Sequence, residues 1–170
     1  MRDLDFRQDL LPLKDKLFRL ALRITLDRPE AEDIVEDTLV RVWNKREDLG
    51  QVDSVEAYCL TVCRNLALDR SERKEAQNLS LQAAAYDAPD RAASPQERLE
   101  REERLERVKQ LFDQLPERQR SVMQLRDIEG KTYKEVAEIM GMSEENVKVT
   151  LFRARQTLRQ KYKKIDEYGL

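Results

Sequence analysis

The sequence contains no histidine, and its 170 residues include only four glycines and five prolines. Without histidine the chain lacks the side chain most often used as a general base and as a metal ligand. The few glycines do not form a phosphate-binding loop. These absences exclude most enzyme classes. We therefore expect a binding protein with no catalytic residues, no metal, no cofactor and no small-molecule substrate.

Long apolar segments are absent as well. The sequence has no run of about 18 apolar residues, the length that a membrane-spanning helix requires. Its first ten residues, MRDLDFRQDL, lack the apolar centre of a signal peptide. We expect a cytoplasmic protein without membrane insertion.

The two cysteines, Cys59 and Cys63, are four residues apart and so lie on one face of a predicted helix. This spacing differs from the Cys-x-x-Cys pattern, and the chain offers too few other ligands for a metal site. Small core side chains are the favoured interpretation, and a redox switch stays open as an alternative.

Charged residues make up 39% of the chain, and apolar residues recur at helical spacing, which predicts an all-α fold. Three helices are expected near residues 10–26, from Asp27 to Lys45 and from Ser54 to Lys74. The periodicity is lost over residues 76–94, where Ala, Ser, Asp and Gln predominate, as in a flexible linker. We therefore predict two small helical domains, residues 1–75 and 95–170, joined by this linker.

A capping box at Ser94 and Glu97 predicts the first helix of the second domain. Its apolar stripe is expected to be buried, and consists of Leu99, Leu105, Val108, Leu111, Phe112 and Leu115. Pro116 begins a further helix that ends at Gly130.

Residues 132–147 carry the most informative pattern. Thr132 and Glu135 form a second capping box, Gly141 permits a tight turn, and Ser143 caps the helix that follows. This order predicts a helix-turn-helix.

The charge distribution supports DNA binding by this unit. Residues 131–164 contain nine Lys and Arg against four Asp and Glu, whereas residues 1–75 contain 14 against 17. The second helix of the unit would expose Lys148, Arg153, Arg155, Arg159 and Lys161. Such a helix can enter the major groove while its basic side chains hold phosphates. A helical hairpin that binds no DNA is the alternative, but the local positive charge disfavours it.

The order of these elements resembles the extracytoplasmic-function (ECF) group of the sigma-70 family of bacterial transcription initiation factors. The segment AEDIVEDTLVRVWNK at 31–45 is similar to sigma region 2.1 to 2.2, and YCLTVCRNLALDRSERK at 58–74 to regions 2.3 to 2.4. The segment from 115 to 159 is similar to region 4. From the resemblance and this length we expect neither a region 1.1 nor a region 3.

The resemblance implies three binding surfaces. Region 2 would bind core RNA polymerase through Asp33, Glu36, Asp37 and Arg41. It would bind and melt the minus-10 element through Arg64, Asn65, Asp69 and Arg70. Region 4 would read the minus-35 element through Arg126, Lys148, Thr150, Phe152, Arg153 and Arg155. Core RNA polymerase, promoter DNA and an anti-sigma factor are the implied partners.

Two rival functions remain. The first is a helix-turn-helix transcriptional regulator that never binds polymerase, and the second is a small enzyme with a DNA-binding tail. Acidic residues from Glu30 to Asp37 in the second helix favour polymerase docking over the first rival. The missing histidines and glycine loops disfavour the second.

Overall fold

In the computed structural model, residues 3–78 and 96–168 are described, and they are almost entirely helical. The predicted all-α class with two small helical domains is confirmed. The α-helices are α1 (Lys14–Thr25), α2 (Arg28–Asn44), α3 (Val55–Asn78), α4 (Gln96–Asp113), α5 (Glu117–Met123), α6 (Tyr133–Met140) and α7 (Glu144–Tyr168). Shorter π and 3-10 turns occupy Phe6–Leu10, Leu11–Leu13, Arg46–Gln51 and Gln124–Ile128.

Side-chain caps fix the starts of several helices where the sequence predicts them. Asp27 accepts a hydrogen bond from the backbone N–H of Glu30 at 3.2 Å, and Ser54 accepts one from that of Ala57 at 3.1 Å. Both bonds of the capping box at Thr132 are present. Because each cap satisfies an otherwise unpaired N–H of the first turn, these positions begin helices.

Helices α1, α2 and α3 form the first domain. Leu17, Leu20, Ile34, Leu60 and Cys63 are at most 1% exposed at its centre. The ring of Phe6 meets the ring of Trp43 edge to face, with ring centroids 5.6 Å apart, and both pack against this core.

Helices α4 to α7 form the second domain. Gly141, with φ of 66°, ends α6 in the left-handed conformation that favours glycine, and α7 then crosses α6 as the second helix of the helix-turn-helix. Its core contains Val122, Val136, Val147 and Leu151.

The prediction that the apolar stripe of α4 is buried is wrong from Leu99 to Val108. Leu99, Leu105 and Val108 are exposed at 38%, 57% and 38%, and only Leu111, Phe112 and Leu115 are buried as expected. Phe112 and Leu115 pack on Ala154 of α7, so α4 contacts its neighbours through its C-terminal end. The capping residue Ser94 and most of the predicted linker lie outside the described residues.

The two domains pack directly against each other. Helices α1 and α3 contact α5 and α6, and one hydrophobic cluster runs without interruption from Leu17 and Cys63 to Val122 and Val136. This arrangement decides which of the predicted binding residues face solvent.

Candidate polymerase and nucleic-acid interfaces

The predicted polymerase-binding residues share one surface of α2. Asp33, Glu36 and Asp37 are spaced three and four residues apart, so they lie on adjacent turns of one face. Asp33 and Glu36 are exposed, whereas Asp37 is half-buried. Arg41 is exposed, and its Nε donates to Asp37 at 3.0 Å.

Arg70 of α3 lies across this acidic surface and contacts three carboxylates. Its guanidinium donates to Glu30 at 3.3 Å, to Asp37 at 3.1 Å, and to Asp33. Burial alone would lower the pKa of Arg70, but the hydrogen bonds and charges of Asp33 and Glu30 outweigh it and raise the pKa above its ordinary value. One turn further along α3, Lys74 pairs with Asp27. The end of α3 thus neutralises part of the acidic face of α2.

Asn65 and Asp69 line a surface cleft of about 560 Å³ between the C-terminal half of α2 and the middle of α3. Arg41, Tyr58 and Val62 line it as well, so an aromatic ring, apolar carbons and amide groups face one concavity. Both Asn65 and Asp69 are exposed. A planar group that needs stacking and edge hydrogen bonds suits these walls.

Arg64 precedes Asn65 in the chain but lies in a different environment. It is only 5% exposed and points toward α5, where it donates to both carboxylate oxygens of Glu117 and to the hydroxyl of Ser121 at 3.1 Å. The structure therefore separates Arg64 from the other three predicted minus-10 residues and places it between the domains.

Further charged groups lie at the contact between the domains. Arg19 of α1 donates to Glu129 at 3.0 Å, and Arg23 donates to Gln124 at 3.0 Å. Burial alone would raise the pKa of Glu129, but the hydrogen bond and charge of Arg19 outweigh it and lower the pKa. Arg120 is 8% exposed and donates to backbone carbonyls at the end of α1. The interface thus combines an apolar centre with paired charges.

Glu56 of α3 provides a third carboxylate between the domains, after Glu117 and Glu129. It pairs with Lys131 from the second domain and accepts from Lys16 of α1 at 2.6 Å. Burial would raise the pKa of Glu56, yet its hydrogen bonds with Lys131 and Lys16 outweigh this effect and lower it.

The helix-turn-helix presents most of the predicted minus-35 residues. Lys148, Phe152 and Arg153 are exposed on α7, and Phe152 is 65% exposed, an unusual state for a large aromatic residue. Thr150 is half-buried. Four of the predicted residues, including Arg155, therefore lie on the solvent face of one helix.

Two residues outside the prediction orient cations of this surface. The guanidinium of Arg126 lies 4.4 Å from the ring centroid of Tyr133, and the Nζ of Lys148 lies 5.3 Å from it, so one ring contacts both cations. Asp127 accepts from the Nε of Arg155 at 3.1 Å and from a second nitrogen of the same guanidinium. Capping-box spacing placed Tyr133 at a helix start, but nothing in the sequence indicated these contacts.

Neither a metal centre nor a membrane span is found in the part of the chain that the structure describes. No group of three or more Cys, Asp or Glu side chains there could hold a metal ion. Likewise, no helix there is long and apolar enough to cross a membrane.

Comparison with known proteins finds a matching family for each of the two domains. Residues 12–77 match the family described as sigma-70 region 2, and residues 105–158 match sigma-70 region 4. The probable RNA polymerase sigma factor RfaY of Xanthomonas campestris is 33% identical over 147 residues, which cover 82% of this chain but only 36% of RfaY. The chain therefore spans about a third of that relative's length.

Two further proteins match over most of their lengths. The ECF RNA polymerase sigma factor SigL of Mycobacterium tuberculosis is 31% identical over 144 residues, covering 84% of this chain and 80% of SigL. The sigma factor RpoE from Bartonella quintana, crystallised with the anti-sigma factor NepR, superimposes with a TM-score of 0.75 at 25% identity, over 95% of this chain and 98% of RpoE. With regions 2 and 4 both present and in this order, the chain belongs to the ECF group of the sigma-70 family.

Proposed function

We propose that this protein, in the cytoplasm, binds core RNA polymerase and directs it to promoters by recognising minus-35 and minus-10 elements. The observation that carries the proposal is the presence of an acidic helix face, an amide-lined cleft and a basic helix-turn-helix on one chain. As a member of a family of initiation factors, it is not an enzyme.

Polymerase docking would use Asp33, Glu36, Asp37 and Arg41. Glu36 is exposed and has no ion-pair partner among the described side chains, so it is available to a basic surface without breaking an existing ion pair. Opposite charges across an interface accelerate association and fix orientation. Charge on this face therefore supports its assignment as the polymerase surface.

Minus-10 recognition would use the cleft that Asn65 and Asp69 line, with Arg64 and Arg70 nearby on α3. An extruded base loses stacking worth a few kcal/mol, and a pocket that offers an aromatic face and an amide edge offsets part of that loss. Tyr58 and Asn65 supply these two groups. Arg64 can contribute only after it leaves Glu117, so promoter binding through Arg64 requires the domains to separate.

Minus-35 recognition would place the exposed face of α7 in the major groove. Lys148, Arg153 and Arg155 would contact phosphates or guanine edges, and Arg126 and Thr150 would approach from the edges of the surface. The exposed ring of Phe152 can contact a thymine methyl group. We propose residues 1–75 and 95–170 as the two domains, with 76–94 as the linker that lets them reach separate promoter elements.

The test is reconstitution with purified core polymerase and promoter templates. We expect factor-dependent run-off transcription, and we expect Glu36→Lys to reduce core binding because it reverses an unpaired docking charge. Glu100→Lys on α4 makes the same charge change away from the docking face and serves as the matched control. Tight duplex binding by the protein alone, with no association with core polymerase, would instead establish the helix-turn-helix regulator.

We also propose an anti-sigma factor as a partner, because RpoE of Bartonella quintana forms such a complex and its structure matches nearly the whole chain. A tagged form of the full chain should retain a protein that suppresses run-off transcription when it is added to the reconstituted system. Retained proteins that leave transcription unchanged would contradict this partner.

A further inference from the structure

The contacts of Arg70 link two of the proposed surfaces. Arg70 lies on α3 in the segment proposed to bind the minus-10 element, yet its guanidinium contacts Asp33 and Asp37, which are proposed to bind polymerase. Glu30, its third partner, lies one turn before Asp33 on the same face of α2. The same cation is therefore assigned to two ligands that it cannot bind at once.

Arg70 occupies the acidic surface of α2 as an intramolecular ion-pair partner. Glu30, Asp33 and Asp37 follow the i, i+3, i+7 spacing of one helical stripe, and the planar guanidinium reaches all three carboxylates. A basic group of a partner that approached Asp33 or Asp37 would have to share the carboxylate with Arg70 or replace it. The side chain of Asp33 is 64% exposed, so one of these carboxylates is open to such an approach.

The contacts are strong enough to hold Arg70 and weak enough to exchange. Each ion pair near the surface contributes little to stability, since water screens it and ordering the side chains costs entropy. A partner that supplies several positive charges can outcompete one internal guanidinium. Polymerase docking would then leave Arg70 without its carboxylates.

We propose that Arg70 occupies the polymerase-docking carboxylates in the free chain, is displaced when polymerase binds Asp33 and Asp37, and only then contacts a phosphate of the minus-10 DNA. The inference rests on the proposed sigma-factor function. Arg70 would thus couple docking to promoter binding, because its cation becomes available to DNA only after polymerase has bound.

The test compares Arg70→Gln with Arg73→Gln in the full-length protein. Both remove one positive charge from the same helix, but Arg73 is 75% exposed and pairs with Asp69 of its own helix. We expect Arg70→Gln to bind core polymerase roughly three- to tenfold more tightly at low salt, because it removes the internal competitor. This gain should shrink as salt is raised. Arg73→Gln should change core affinity by less than about twofold.

The second measurement is the salt dependence of promoter binding by the matched holoenzymes. If Arg70 contacts a phosphate there, Arg70→Gln should reduce the slope of log affinity against log salt by about 0.7 to 0.9. Arg70→Lys keeps a cation but lacks the planar fork, so it should retain the promoter slope and show an intermediate core affinity.

Three results would overturn the proposal. These are weaker core binding by Arg70→Gln, an equal gain by Arg73→Gln, and an unchanged promoter slope in the Arg70→Gln holoenzyme. Weaker core binding would mean that Arg70 holds the docking carboxylates in place rather than competing for them. Failure of the wild-type protein to bind core polymerase would instead refute the proposed function, and it would be seen before any variant is compared.

Discussion

Arg64 of α3 and Glu117 of α5 form a bidentate ion pair that joins region 2 to region 4. The side chain of Arg64 is 6% exposed and that of Glu117 is 24% exposed, so the pair is largely removed from water. Ser121 completes the network by donating to Glu117 at 2.7 Å and accepting from Arg64. The pair spans 53 residues of sequence and ties together two domains that the proposed function requires to act apart.

Removal of Glu117 should destabilise the packed chain. Glu117→Ala leaves the guanidinium of Arg64 in the interface without its carboxylate, and we expect the free energy of unfolding to fall by about 1 to 3 kcal/mol. Urea unfolding followed by circular dichroism measures this change. The exposed neighbour Arg118 provides the control, since Arg118→Ala should stay within about 0.5 kcal/mol of wild type. Equal effects of the two variants would contradict the role of the pair.

Loss of the Asn65 amide should impair promoter melting. Asn65→Ala should leave folding and core binding near normal, because the side chain is exposed and lies in the cleft rather than in the core. Permanganate reactivity of minus-10 thymines should drop sharply on duplex templates and recover when that region is premelted. Equal reactivity of wild type and variant on duplex DNA would show that Asn65 is only a solvated surface residue.

Arg153 should contribute to minus-35 recognition. Arg153→Ala should weaken holoenzyme binding to the promoter by about 1 to 3 kcal/mol if the guanidinium reads a base, and should relax preference at one base pair. Competition binding with single-base-pair promoter variants measures both effects. Arg101→Ala removes the same exposed charge from α4 and should change neither quantity. A uniform loss across all promoter variants would reassign Arg153 to a phosphate.

Acid should weaken the contact between the domains. The pKa values of Glu56 and Glu129 lie below their ordinary values in the folded protein, so both carboxylates bind protons less readily there than in the unfolded chain. Their contribution to stability is complete above the ordinary glutamate range and is lost as pH falls below about 5. Asp113 acts in the opposite sense, because burial raises its pKa.

Urea unfolding at pH 7 and at pH 4 tests this pH dependence. The free energy of unfolding should be lower at pH 4, and Glu129→Gln should reduce the difference between the two pH values because it removes one titrating group. A difference that is the same in Glu129→Gln and in wild type would exclude Glu129 as a contributor.

The cysteines should be unreactive in the folded protein. Both thiols are free and fully buried, and burial raises the pKa of Cys59 and of Cys63 to about 12. At pH 8 only about 10⁻⁴ of each thiol would be the reactive thiolate. An aromatic disulfide reagent should therefore label neither cysteine in the native state and both in guanidinium chloride. Rapid native labelling would revive the redox-switch alternative.

Local sequence signals predicted the elements of the fold. Capping side chains at Asp27, Ser54 and Thr132 and the left-handed Gly141 each act within a few residues of their own position, so their spacing is visible in the sequence. The helix-turn-helix and its exposed cations follow from the same kind of signal.

Contacts between distant residues could not be predicted in this way. Nothing in the spacing of Arg64 or Arg70 shows that one reaches Glu117, 53 positions later, and the other Asp33, 37 positions earlier. Helical periodicity likewise identified the apolar stripe of α4. It did not show how much of this stripe a partner helix covers, and the prediction that Leu105 is buried is therefore wrong. Contacts and burial of this kind depend on how the domains pack, and a short window of sequence carries no information about that packing.

The uninterrupted hydrophobic cluster has a consequence for the chain when its two domains separate. Faces of α1 and α3 that now cover α5 and α6 would become water-exposed as soon as the domains separate. Contiguous apolar surface of this kind attracts other chains and favours aggregation. A molecule with separated domains would therefore aggregate unless a partner covered its exposed apolar surface at once. The packed form is the one that can persist without a partner.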